Sequence, residues 1–221
     1  MKASSFPAGT GHRARSLWLG GAALAFLAFV GITSELIEGD LNAADSALLL
    51  VVAKARTPWL TVAAVDFTAL GSITLVVLFS AVSLAVLLAL HDRLGALQLL
   101  AASGGSGILT LVTKDVIERI RPEEAQQLVT VSGFSYPSGH SVSSSALYLT
   151  IAFIALRYAT RPGTRAAIFF GLSAVIIAVG ASRVYLGVHY ASDVVSGISL
   201  GAAWALMLAG LFARLDAHHS H

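Results

Sequence analysis

Six apolar stretches, at 17–33, 67–90, 96–113, 142–156, 166–181 and 194–212, constrain this chain more than any other feature of it. Crossing a hydrocarbon core takes about 20 helical residues. Inside that core every backbone polar group must be satisfied by the chain itself, so spanning segments are helices or closed barrels. The runs therefore predict an all-α fold, a six-helix transmembrane bundle. The runs at 142–156 and 166–181 are short alone. They reach spanning length with residues 141–145 and 182–184, provided those polar side chains face the bundle interior. Between the first and second spans, 41–52 is apolar but set among Asp40, Asn42, Asp45, Lys54 and Arg56. That pattern fits a short interfacial helix. Pro58 and Trp59 then start the next helix, with Trp59 as an interface anchor.

Composition agrees with a membrane bundle. The chain is 56% hydrophobic and only 12% charged, whereas soluble domains carry about 25% charged residues. Its 221 residues make one domain, 1–221. Without a single cysteine, disulfides, thiolate metal sites and cysteine nucleophiles are excluded. A net charge of +2 with no basic tract argues against nucleic acid as a partner. Basic residues precede the first apolar run, as in a signal peptide. Glu35, Leu36 and Ile37 follow it without a small-residue cleavage site, so the run reads as a first span. His218, His219 and His221 read as a short solvated tail rather than a metal site. The small residues Ser103, Gly104, Gly105, Ser106 and Gly107 lack the ending of a phosphate-cradling loop, and read as a surface for close helix packing.

Charge placement sets the topology. With six spans and a cytoplasmic N-terminus, the cytoplasmic side holds Lys2, Arg13, Arg15, Arg93, Arg157, Arg161, Arg165 and Arg214. The opposite side holds Lys54, Arg56, Lys114, Arg119, Arg121 and Arg183 with most of the acids. Four of those six cations sit in or beside two chemically rich stretches, 114–140 and 182–193. Setting the four aside leaves the positive-inside pattern. Both stretches then face each other on the extracytoplasmic side, with both termini cytoplasmic, as in a bacterial inner (plasma) membrane protein.

The two stretches complement each other. His189 and Asp193 are four apart and share a helical face, so the carboxylate can fix the imidazole tautomer. Lys114 and Arg121 are seven apart, also on one helical face, and Pro122 ends that helix. With Arg183 they make three cations that repel unless an anion sits between them, and phosphate is the natural one. Pro137, Ser138 and Gly139 form a tight turn that offers N–H groups at a helix N-terminus. His140 there is an acid or base beside the bound anion. Phosphoryl transfer needs positioning, charge neutralisation, a nucleophile and a proton for the leaving oxygen. His189 can supply the attack, His140 the proton, and Lys114, Arg121, Arg183, Ser138 and Gly139 the phosphate ligands. No acidic cluster suggests a metal, so no metal and no cofactor are expected.

Lys114-x6-Arg121-Pro122, Pro137-Ser138-Gly139-His140 and Ser182-Arg183-x5-His189-x3-Asp193 resemble the three-part signature of the type-2 phosphatidic acid phosphatase superfamily. The resemblance implies a metal-independent lipid phosphatase with His189 as nucleophile, Asp193 as its partner and His140 as acid/base. It makes Lys114, Arg121, Ser138, Gly139 and Arg183 phosphate ligands. Its expected partners are a lipid phosphate or diphosphate substrate and membrane lipids. Undecaprenyl diphosphate, phosphatidylglycerol phosphate, phosphatidic acid and lipid A phosphates are the substrates to consider, with the outer-facing site favouring undecaprenyl diphosphate or a general phospholipid. Members often read GRPRP where this chain has Glu118-Arg119-Ile120-Arg121-Pro122, which leaves the helix end and the part of Arg119 open. Glu118, four residues from Lys114, is placed to compete with substrate for it. A non-catalytic transporter or lipid-binding protein is the alternative reading, and it gives no reason for two histidines and three cations at these spacings. Haloperoxidase chemistry uses a similar oxyanion pocket in soluble relatives, against which the six spans argue.

Overall fold

The computed structural model describes residues 10–123 and 126–219, with side chains from 15 to 213 within that range. The side chains of the C-terminal histidines, and Glu124, lie outside the described residues. Among the described residues the regular structure is entirely α-helical, in the order α1 (Thr10–Glu38), α2 (Leu41–Lys54), α3 (Pro58–Ala69), α4 (Ile73–Ala89), α5 (Arg93–Ile117), α6 (Gly139–Tyr158), α7 (Pro162–Tyr185) and α8 (Ala191–His219). Five of these are long and apolar enough to cross a membrane. A sixth crossing is available if α3 and α4, bent by 49°, form one broken span. The additions expected for the short runs are present, since α6 includes Ser141–Ser145 and α7 includes Ser182–Val184.

The stretch 67–90 is not the straight helix its hydropathy suggests. It breaks at Leu70–Ser72, where Ser72 caps α4 by accepting from the Leu75 N–H at 3.3 Å. The break lets the chain approach α6 and α7 closely. A Cβ on Gly71 would lie 2.5 Å from Val179 Cγ1 and 3.1 Å from His140 Cβ. The Tyr148 hydroxyl donates to the Leu70 carbonyl at 2.7 Å, satisfying an acceptor freed by the break. Gly71→Ala is therefore expected to destabilise the fold by about 1–3 kcal/mol through overpacking. A lowered apparent Tm in detergent, partly restored by adding Val179→Ala, is the check; an unchanged Tm contradicts the close contact.

Small residues drive the remaining approaches, as expected where lipid is as apolar as leucine and helices associate by close packing. On α8, a Cβ on Gly197 would lie 2.8 Å from the Ser138 carbonyl oxygen, and one on Gly201 2.4 Å from that of Val142. These two positions seat α8 on the start of α6. The glycine-rich run on α5 behaves as the small-residue reading expects, with Gly105 lying under the Trp204 ring and the indole N–H donating to the Ala101 carbonyl at 3.1 Å.

The bundle has two unlike ends. At one, Asp92 caps α5 and accepts from the Tyr158 hydroxyl at 2.9 Å. At the other, the C-terminal ends of α5 and α7 meet the N-terminal ends of α6 and α8. That second end gathers the ionisable groups singled out in the sequence. Thr33 near the end of α1 reaches the same level, with its hydroxyl 2.7 Å from that of Tyr136.

Candidate active site

His189 sits in the turn between α7 and α8, with 2% of its side chain exposed. Its Nδ1 lies 3.3 Å from Asp193 Oδ2, and its Nε2 lies 3.2 Å from an Arg121 terminal nitrogen. A guanidinium only donates, so Nε2 carries the lone pair and Nδ1 carries the proton. The pairing thus fixes the tautomer. Burial holds the imidazole well below the usual histidine value, at about 4, although Asp193 pulls the other way. His189 is therefore neutral at pH 7, with an available lone pair on the nitrogen that faces the cations.

Asp193, fully buried in the first turn of α8, is held by more than the imidazole. Its Oδ2 also accepts from the Ser135 hydroxyl at 2.5 Å and from the Tyr190 N–H at 2.9 Å. Its Oδ1 accepts from Arg119 at 2.6 Å. The Asp193 carbonyl accepts from the Ser138 N–H at 3.0 Å, which ties α8 to the turn before α6.

The remaining predicted residues converge on the same spot. The charges of Arg183, Arg121 and Lys114 and the His189 ring all lie within electrostatic range of His140, in the first turn of α6. Arg183, 4% exposed, donates to the Thr68 hydroxyl of α3 at 2.8 Å, while its buried Nε has no partner. Lys114 reaches across to the Phe134 carbonyl. Ser138 caps α6: its hydroxyl oxygen accepts from the Ser141 N–H at 3.4 Å and from the Ser141 hydroxyl at 3.0 Å. The Val142 N–H goes to the Ser138 carbonyl at 3.0 Å. Among the described residues the Gly139 and His140 N–H groups at the start of α6 have no hydrogen-bond partner, as is common at a helix N-terminus.

Four details differ from the expectations. Lys114 and Arg121 do not share a helical face, because α5 ends at Ile117 and Glu118 adopts a left-handed conformation (φ 49°). Pro122 therefore does not end the helix; the chain has left it four residues earlier. Arg121 arrives instead through the loop, its Nε donating to the Gly133 carbonyl at 2.8 Å and one Nη to that of Val188 at 2.8 Å. Glu118 is exposed, and Lys114 points to the Phe134 carbonyl rather than to it. His189 and Asp193 are four apart but share no helix from the start, since α8 begins at Ala191.

Several contributors had no motif. Thr68 and Gly71 come from the α3–α4 break, and Ser135 from the loop before the Pro-Ser-Gly turn. Arg56 binds the carbonyls of Tyr185 at 3.0 Å and Gln126 at 2.9 Å, pinning the loop onto the end of α7. Asp45 and Arg119 form an ion pair at 2.8 Å beside Asp193. Two of these left a signal: Arg119 stands inside the matched signature stretch, and Asp45 is a carboxylate within an apolar helix, a functional candidate by default.

A family model described as the PAP2 superfamily matches residues 95–216. The chain is 31% identical over 186 residues to phosphatidylglycerophosphatase B of Bacillus subtilis (strain 168), covering 84% of this chain and 91% of that protein. It is 35% identical over 118 residues to a lipid A 1-phosphatase of Rhizobium johnstonii, covering 49% of this chain and 44% of that one. The crystal structure of the transmembrane PAP2-type phosphatidylglycerolphosphate phosphatase from Bacillus subtilis superposes with a TM-score of 0.80 at 30% identity, over 86% of this chain and 94% of that one. The chain belongs to the PAP2 superfamily and is an integral-membrane lipid phosphatase of that metal-independent family.

Proposed function

We infer that this enzyme hydrolyses the phosphate monoester or diphosphate of a membrane lipid through a phosphohistidine on His189. The observation that carries the reading is the His189 imidazole, neutral, with its Nε2 lone pair turned to Arg121 and its Nδ1 proton turned to Asp193. In the first step Nε2 bonds to phosphorus and the bond to the lipid oxygen breaks, its electron pair leaving on that oxygen. His140 gives the oxygen its proton. Asp193 stabilises the positive charge that forms on the ring. In the second step water attacks phosphorus, His140 takes its proton, and the nitrogen–phosphorus bond breaks. The products are inorganic phosphate and the lipid alcohol from a monoester, or inorganic phosphate and the lipid monophosphate from a diphosphate.

Lys114, Arg121 and Arg183, with the Gly139 and His140 N–H groups, hold the phosphoryl oxygens through both steps. The unpartnered Arg183 Nε supports this role. Ser138 acts mainly by capping α6, which keeps those N–H groups in place. The relatives' names favour phosphatidylglycerol phosphate first and a lipid A phosphate second, over undecaprenyl diphosphate. Phosphate release from short-chain lipid phosphates and diphosphates in detergent, with excess chelator and ranked by kcat/KM, tests the reading. Activity across this panel that orthovanadate inhibits competitively supports it; an inert enzyme contradicts it.

The membrane arrangement belongs to the same proposal. A single domain, 1–221, with α3 and α4 as one broken span makes six crossings, and α2 lies in the interface. Positive-inside bias then puts both termini in the cytoplasm and the site at the outer leaflet. Ser132 is exposed on the loop beside the site, and the chain has no cysteine to interfere. A Ser132→Cys variant is expected to react with an impermeant maleimide in intact cells. Labelling only after lysis inverts the topology.

A further inference from the structure

We propose that Arg119 and Asp45 are positioning residues, which hold the Asp193 carboxylate in the one orientation that serves His189. This rests on the reading of His189 as the nucleophile. In sequence Arg119 lies two residues from Arg121, and its part is open there. In the structure both of its terminal nitrogens are already taken. One terminal nitrogen donates to Asp193 Oδ1 at 2.6 Å and to the Ser192 hydroxyl at 2.7 Å. The other donates to Asp45 Oδ2 at 2.8 Å and to Asn42 Oδ1 at 3.4 Å. The Tyr190 ring covers the guanidinium, its centroid 4.2 Å from Cζ. Burial alone would weaken the Arg119 charge, yet Asp193 and Asp45 raise its pKa above the ordinary arginine value.

The division of labour on Asp193 follows from this. Oδ1 is given to Arg119, and Oδ2 is left for the imidazole, the Ser135 hydroxyl and the Tyr190 N–H. A free guanidinium prefers to grip a carboxylate with two parallel bonds, which here would draw Oδ2 away from His189. Asp45 prevents that by holding the second terminal nitrogen. It is fixed in turn by the Ser192 N–H at 3.0 Å and by the Ser192 hydroxyl. Two carboxylates and one guanidinium leave one net negative charge next to the ring, suited to the imidazolium that forms during transfer. Without Arg119, the buried Asp193 charge would lose the permanent cation in direct contact with it, a costly state. Because Asp45 lies on α2, the helix between the first two spans is part of the catalytic scaffold.

The test compares wild type, Arg119→Ala, Arg119→Lys, Asp45→Asn and the Arg119→Ala/Asp45→Asn double variant in detergent, using a short-chain lipid phosphate. Each is assayed for kcat, KM and the inhibition constant of orthovanadate. Removing groups that orient a working residue typically costs about 10–100-fold. kcat is expected to fall toward the upper figure for Arg119→Ala and toward the lower for Asp45→Asn. Arg119→Lys falls between, because one ammonium cannot reach both carboxylates as a fork does. KM and vanadate affinity stay within about twofold of wild type, which also shows that the site is folded. The double variant is no worse than Arg119→Ala, since both changes break one chain. Vanadate affinity falling in step with kcat would make Arg119 a phosphate ligand and overturn the proposal. So would full activity in Asp45→Asn, or losses that multiply independently. Should Arg119→Ala fail to assemble, the near-isosteric Asp45→Asn decides. A wild-type enzyme inert on every lipid phosphate overturns the nucleophile reading instead.

Discussion

Replacing His189 by alanine is expected to abolish turnover, with kcat falling by at least about 10⁴-fold, as for other covalent nucleophiles. The size follows from the position of the ring. Nε2 is the atom whose lone pair faces Arg121, on the side where the cations gather. The Ser135 hydroxyl lies 3.4 Å from the other ring nitrogen, Nδ1, and donates to Asp193 Oδ2. The cations that would hold phosphate come from the loop and from α5 and α7, so the variant should still bind orthovanadate. Steady-state assays and vanadate binding on one preparation check both halves. Substantial residual activity removes His189 as nucleophile.

His140→Asn produces the second large effect, a loss of about 10²–10⁴-fold on alkyl phosphates, the range for a general acid–base. The loss should depend on the leaving group. A nitrophenyl phosphate leaves without a proton, so its first step barely needs His140. The second step still needs a base for water. The variant should therefore release a burst of nitrophenol near one equivalent per site and then stall. Rapid mixing with absorbance detection reads the burst directly. Equal losses on alkyl and aryl substrates, without a burst, contradict the assignment.

The sequence carried the site better than the helices that present it. Hydropathy located the spans because lipid demands long apolar helices, and spacing brought Lys114, Arg121, Arg183, His140 and His189 to one end of the bundle. Local geometry was less legible. The left-handed Glu118 ends α5 early, and the spacing of Lys114 and Arg121 looks helical only because a loop happens to return Arg121 to the same place. The α3–α4 break was hidden inside an apolar run, and what accompanies it is the close approach of Gly71 to Val179 and His140. Such contacts are tertiary and leave no periodic trace. The part of Arg119 was left open in the sequence, because its partners Asp45 and Asp193 come from helices far apart along the chain.

The phosphohistidine itself is the direct test of the chemistry. Wild type and His140→Asn are mixed with nitrophenyl phosphate carrying radiolabelled phosphate, quenched in alkali within the first turnovers, and digested for peptide mapping. Label that survives alkali, is lost in acid and maps to the peptide containing His189 is expected, with more accumulating in His140→Asn. Label on another residue, or none at any quench time while phosphate is being released, contradicts a histidine nucleophile at position 189.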